Sequence, residues 1–376
     1  MRRAFAAFGA FGAFWGVWGG AVPRVQQQAG IGDGQLGFAL LFIGAGALPA
    51  MLLAGRALDR WGLRFSAWAV GALGLAGAGL ALTAVNLPSL CAGLAVVGAT
   101  SGAADVAQNA VAGRAEAVAG RPVITRAHGI FSTMVVLGSL ASGLTSSLPL
   151  VAPFAGVAVL ALTAAAALPH GGDQDRGAPA PAPRGPIAPL LLIGTLGALA
   201  FASENAHQSW SAVFAHDVLH STVGTSAIAP AVFAGTVAIT RFAAGGLRPP
   251  YARIVLLAGA ALAALGAVVI ALSPTLPVAA LGLVVAAAGT AVLFPTLVGI
   301  VSRDVDESHR GRATSVVTTV SYLGFIVGPV YVGLCAEAIG LRGAMLAVAA
   351  LGVVLAALTP TLLRPFRDRP GRGIPR

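Results

Sequence analysis

A chain of 376 residues that is 57% hydrophobic and only 10% charged, with 50 glycines, has too few polar side chains to wet a soluble domain. Such a domain carries roughly 25% charge. A soluble enzyme, a disordered chain and a coiled coil are excluded, and lipid is the solvent for most of the surface. The formal charge of +10 arises from 23 arginines and no lysine against 13 acidic residues, and it would suggest nucleic acid only if the arginines formed one stripe.

They do not. A helix needs about 20 apolar residues to cross the roughly 30 Å hydrocarbon layer, and runs of that kind fall at 4–22, 34–55, 65–86, 89–112, 128–147 and 150–168. After an interruption they resume at 188–209, 223–244, 253–273, 277–301, 313–334 and 342–363. The first run passes into a polar loop at Pro23-Arg24-Val25-Gln26 without a cleavage site, which is unlike a signal peptide. Gly12, Gly16 and Gly20 repeat along it, a spacing that lets helix backbones approach closely; packing within the chain explains it more cheaply than dimerisation.

The loop after the second run reads Gly55-Arg-Ala-Leu-Asp59-Arg60-Trp-Gly62-Leu-Arg64. It resembles the signature loop of the major facilitator superfamily, G-x-L-a-D-R-x-G-R-R, with Leu63 in place of a basic residue. The fourth run and its loop (GAADVAQNA, then GRPVITRAHGIFS), the seventh (SENAHQSWSAVFAHDV) and the eleventh (YLGFIVGPVYVGLCAEAIGLR) are similar to the MosC-like and YbjJ-like branch, a distant relation of sugar permeases. The resemblance implies an all-α membrane protein with twelve transmembrane helices in two pseudo-symmetric six-helix bundles. It also implies a cytoplasmic latch: Gly55, Asp59, Arg60, Gly62 and Arg64, with Asp59 near the start of the eleventh helix at Gly311-Arg312. There a carboxylate meets unpaired N–H groups and the positive end of the helix dipole. Arg60 and Arg64 are placed to pair with Glu116. The corresponding second-half loop, from Gly245 through Arg248 to Arg253, lacks the Asp.

The segment 169–187 is hydrophilic and Pro-rich and reads as a linker. It gives a first bundle at 1–168, a second at 188–363 and a basic tail at 364–376. Gly120-Arg121 before the fifth run echoes Gly311-Arg312 before the eleventh, as two parallel repeats would. With the N-terminus inside, 21 of the 23 arginines face the cytoplasm and only Arg24 and Arg342 lie outside. By the positive-inside rule both termini are cytoplasmic, in a plasma or bacterial inner membrane.

Polar residues at membrane depth cost at least about 2.5–3.5 kcal/mol when charged. In the fourth run Asp105, Gln108 and Asn109 share one helical face. In the seventh, Glu204, His207, Gln208 and Ser211 do, flanked by Asn205 and Trp210; His128 opens the fifth. Both faces are expected to line a cavity between the halves. Asp105 or Glu204 would bind a proton or cation, Gln108, Asn109, Asn205 and Gln208 would hydrogen-bond substrate, and Trp210 would stack on it. The alternative is that the same groups glue helices together. His207 is expected near interfacial water, His216 and His220 in a solvated outer loop, and Glu337 near the outer end of its helix. Gly328-Pro329 interrupts the eleventh run and is a hinge candidate.

Cys91 and Cys335 lie far apart and form no metal-binding pattern. No phosphate loop, HExxH or GxSxG is present, so ATP does not drive the protein directly. The sequence therefore predicts a secondary transporter of a small organic solute, not an enzyme. It needs no cofactor beyond a proton gradient, lies monomeric among membrane lipids and binds no nucleic acid. A polar, sugar-like substrate is favoured; drug or metabolite efflux, and a non-transporting sensor on the same scaffold, are the rival readings.

Overall fold

A computed structural model describes residues 1–120, 123–168, 187–244, 251–305 and 307–363. Of Leu63, 302–304 and 307–312 only the backbone is described. The predicted linker (all but residue 187), the tail at 364–376, and Arg121, Arg176, Arg184 and Arg248 therefore lie outside the described residues, as do the side chains of Arg303, Arg310 and Arg312.

The elements are helical throughout the described residues: α1 (Arg2–Ala29), α2 (Asp33–Trp61), α3 (Leu63–Thr83), α4 (Leu87–Ala119), α5 (Ile124–Leu144), α6 (Val151–Ala167) and α7 (Ala188–Val213). Helix α7 ends in a π-helical turn, Phe214–Val218. Then come α8 (Val223–Ser226), α9 (Ile228–Ala244), α10 (Ala252–Leu272), α11 (Leu276–Thr290), α12 (Leu293–Asp304) and α13 (Glu307–Leu362). Gly340, at φ 74° and ψ 165°, breaks α13 into two arms. Among the described residues ten segments, with α8–α9, α11–α12 and α13 each taken as one, are long and apolar enough to cross a membrane; α6 is shorter at 17 residues, and the eleventh and twelfth predicted runs fall on the two arms of α13.

Local chemistry explains the boundaries. Asn86 caps α4 by accepting from the Ser89 N–H at 3.0 Å, with Pro88 in the first turn. Gly30 and Gly120 end α1 and α4 in the left-handed conformation that glycine adopts without strain. Gly62, at φ 58°, lets the chain turn between α2 and α3.

The two halves repeat one packing scheme. Helix α1 lies along α5 as α7 lies along the first arm of α13; α3 packs on α6 and α4 as α10 packs on the second arm of α13 and on α11. Glycine sets the spacing at these seams. A Cβ on Gly20 would sit 2.9 Å from Ser139 O, and Gly12 and Gly16 likewise abut α5, so this glycine stripe packs within the chain. Cys91 is buried and Cys335 partly so, both as free thiols.

We call the end where α1 begins basal and the opposite end apical. One buried apolar cluster unites the first six helices with the apical parts of α7, α9, α10, α11 and α13. The basal part of the second half, around Ile193, Leu256, Leu297, Val317 and Leu355, forms a separate cluster. The halves thus share one apolar cluster apically, while basally the second half has a cluster of its own and meets the first along α5 and α9, where Phe242 lies against Gly129.

Candidate functional site

The polar faces foreseen on α4 and α7 both exist, and each is divided. Along α7, Phe201, Glu204 and Gln208 are half-buried while the residues between them are buried, so spacing of three and four residues produces one partly exposed stripe. Glu204 does not stand alone there. Arg241 Nη2 on α9 reaches both its carboxylate oxygens, at 2.9 and 3.1 Å, with side-chain exposures of 13% for Glu204 and 43% for Arg241. Arg241 Nε also donates to Ala291 O at 3.4 Å. In the sequence Arg241 is one of the 21 arginines that mark the cytoplasmic side. Its one available clue was its place at the end of an apolar run, three residues before the helix finishes.

On the opposite half, Asp105 and Asn109 are half-buried on α4. Asp105 Oδ1 accepts from Gln108 Nε2 and Asn109 Nδ2, each at 3.2 Å. No cation pairs with it among the described residues. Tyr322, on the first arm of α13, lies within electrostatic range of both Asp105 and Glu204, and so marks where the two faces meet. His128 on α5 is exposed and sets its ring edge-on against Phe8, 4.9 Å between centroids.

Four expectations are corrected. Gln108 is 1% exposed and spends its amide on Asp105, so it does not line the cavity. Asn205 is buried and donates to Phe325 O on α13, accepting from Ser209 Oγ at 3.2 Å. Trp210 has no exposed surface for stacking a solute; its Nε1 donates to Pro329 O at 3.1 Å. His207 and Ser211 lie apical to Glu204 along α7 and are buried, so they do not share its exposure. His207 stacks on Phe233, uses Nδ1 on Ser203 O at 2.7 Å, and with Ser211 lines a water-sized cavity inside the second half. The cause is common to all: neighbouring helices cover α4 and α7 on several sides and at different depths, so residues grouped by periodicity meet different partners.

Gly328-Pro329 is clamped to α7 here. A Cβ on Gly328 would stand 2.5 Å from Ala202 O, and Pro329 O holds Trp210. Gly340, between the eleventh and twelfth predicted runs, separates the two arms of α13.

At the apical end the halves are tied directly. Gly37 on α2 meets Gly333 on α13 so closely that a Cβ would lie 2.7 Å from the Gly333 Cα. Ser139 Oγ donates to Ala227 O at 2.8 Å. Gln27 Nε2 meets His216 Nε2 at 2.7 Å, and His216 Nδ1 meets Ser221 O at 2.9 Å, so His216 is engaged where a solvated loop histidine was expected. His220 is exposed, and Glu337 lies over Gly34.

At the basal end Gly55, Asp59 and Arg60 are exposed. The Arg60 guanidinium lies over the Trp61 ring, 5.6 Å from its centroid. Glu116 Oε2 accepts from the N–H groups of Val123 and Ile124 at 2.8 and 3.0 Å, capping α5 instead of pairing with Arg60. Arg64 keeps an interaction within the protein. The side chains around Gly311 that would face Asp59 lie outside the described residues.

Comparison with known proteins matches this architecture. The profile described as Major Facilitator Superfamily covers residues 4–253 and 251–376. An uncharacterized MFS-type transporter of Yersinia pestis is 30% identical over 359 residues, 91% of this chain and 90% of that protein. The membrane protein MosC of Rhizobium meliloti is 26% identical over 94% of this chain and 87% of its own length. Among solved structures, a mutant of the nucleoside transporter NupG superimposes with a TM-score of 0.82 at 14% identity, covering 96% of this chain and 99% of its own. The xylose transporter XylE of E. coli gives 0.76 at 14% identity, over 98% and 96%. Those two likenesses speak to the fold.

Proposed function

The chain belongs to the major facilitator superfamily, and from that premise we propose that it is a proton-coupled secondary transporter of a small organic solute. In this reading residues 1–168 and 188–363 are the two bundles that rock about a central site. The arginine distribution supports placing both termini, and hence the basal end, in the cytoplasm. The conformation described is then inward-facing, sealed outside through Gly37–Gly333, Ser139–Ala227 and Gln27–His216.

The observation that carries the coupling is the Glu204–Arg241 pair. An ion pair at membrane depth offsets two charges that are each costly alone. A proton taken up by Glu204 cancels its charge and frees Arg241, whose long side chain then seeks another partner; a substrate or a helix movement that supplies one is thereby linked to the proton. Asp105 is the second carboxylate able to carry a proton. The preference for a sugar-like solute keeps only Asn109 and Gln208 of its four amides, because Gln108 and Asn205 are engaged within the protein.

The test uses proteoliposomes with an imposed pH gradient and a pH-sensitive dye inside. Solutes that the wild type concentrates should move protons in step. The Glu204→Gln variant should retain downhill exchange and lose accumulation. Accumulation at the wild-type level by both Glu204→Gln and Asp105→Asn would show that coupling resides elsewhere.

A further inference from the structure

Beside the Glu204–Arg241 pair stands a group of rings that sequence reading did not single out. Phe201 on α7 lies 4.4 Å from Phe294 on α12, 5.6 Å from Tyr322 and 6.3 Å from Phe325 on α13, and the last two are 6.1 Å apart, all between centroids. All four are half-buried. Phe201 occupies the same partly exposed stripe of α7 as Glu204 and Gln208, and the Asn205–Phe325 O bond holds α13 in register with it. Three helices of the second half thus present aromatic rings at the meeting point with α4.

Facing them, α4 offers a carboxylate. Asp105 has its Oδ1 occupied by two amides and, among the described residues, no cation. Glu204 and Arg241 cancel one another, so these three groups leave one negative charge beside the cluster of rings. Aromatic faces carry negative potential and attract cations, most strongly where water is sparse. A lone carboxylate at membrane depth gains most from a positively charged partner. A polyol would instead need several paired donors and acceptors, and two of the amides foreseen for that task are committed elsewhere.

We propose that the space between Asp105 and the rings of Phe201, Phe294, Tyr322 and Phe325 binds an organic ammonium ion with an aromatic or other flat apolar body. The ammonium faces Asp105 and the body lies against the rings. The assignment rests on the transporter reading and narrows its substrate class.

Binding to the purified full-length protein in lipid nanodiscs, measured by calorimetry, tests it with matched probes: tyramine against tyrosol, benzylamine against benzyl alcohol, and propylamine as the ring-less cation. At least one aromatic amine should bind ten-fold or more tightly than both its alcohol partner and propylamine. Asp105→Asn, checked for folding by its melting curve, should bring the amine-to-alcohol ratio near one. Phe294→Leu keeps apolar volume but removes a ring face, and should weaken the amine several-fold while leaving the alcohol within two-fold. Equal binding of amine and alcohol, an undiminished ratio in both variants, or no binding of any amine overturns the proposal. Proton-coupled flux of solutes of another class in the same preparation would overturn it while leaving the transporter reading intact.

Discussion

The apical and basal ends of this molecule use similar residue types for opposite purposes. Apically, glycines bring the halves into backbone contact at Gly37 and Gly333, and polar groups cross between them, Ser139 to Ala227 and Gln27 to His216. Basally, Glu116 caps α5, Arg60 covers Trp61, and the second half keeps an apolar cluster of its own. Contacts made by main chain and short side chains tolerate no looseness, whereas long arginines on exposed turns can exchange partners. A transporter that must close either end in turn needs both, and the conformation seen shows which end is engaged.

The comparison can be broken most severely at the apical seam. Gly37→Leu places a branched side chain where a bare Cβ would already lie 2.7 Å from the Gly333 Cα. It should cost about 3 kcal/mol, the upper part of the range for overpacking, or drive the halves apart there. Differential scanning fluorimetry reads the first outcome as a lowered Tm, and labelling of the native, partly buried Cys335, two residues from Gly333, reads the second. A wild-type Tm with unchanged labelling would mean the seam is not tightly packed.

The next effect is at the ion pair between the ends. Arg241→Ala leaves Glu204 without its partner and should cost about 2 kcal/mol, less than the roughly 2.5–3.5 for a charge at mid-membrane because the site is partly open to water. Glu204→Gln combined with Arg241→Ala should recover most of that loss, since no lone charge remains. Equal Tm values for the single and double variants would deny the pairing. Smaller again, Ser139→Ala removes one buried bond across the apical seam and should cost about 1 kcal/mol, measured as a shift in the urea midpoint or Tm.

How far the sequence reveals this arrangement differs between fold and site. Helix positions are legible because length, hydropathy and Gly, Pro and Asn punctuation act locally: Asn86 with Ser89 starts α4 and Gly120 ends it, whatever surrounds them. Glu204 and Asp105 are legible as costly residues because burial of a carboxylate always asks for an explanation. Their partners are not. Arg241 is 37 residues from Glu204, and nothing in its neighbourhood separates it from arginines that only mark the cytoplasmic side. Trp210 and Asn205 look available in sequence and are used up by Pro329 O and Phe325 O, 119 and 120 residues away. Helical periodicity tells which residues share a face. The packing of neighbours decides whether that face meets a cavity or another helix.

The weakest expected effect is also the most discriminating. In this conformation Arg60 makes a contact with Trp61 at an exposed turn, worth about 0.5–1 kcal/mol at such sites. Arg60→Ala should therefore move the Tm by little. If Arg60 belongs to a basal latch, its energy is spent in the other conformation, where the basal ends meet and the apical seam is open. Removing it then leaves the present state almost untouched and destabilises the alternative, shifting the population further toward the basally open form. Distance measurements between spin labels on the basal ends of α4 and α12 should show the longer separation gaining weight while the melting curve stays nearly fixed. A large loss of Tm with unchanged distances would instead make Arg60 a structural residue of the α2–α3 turn, and the latch would have to be sought in Asp59 and Arg64.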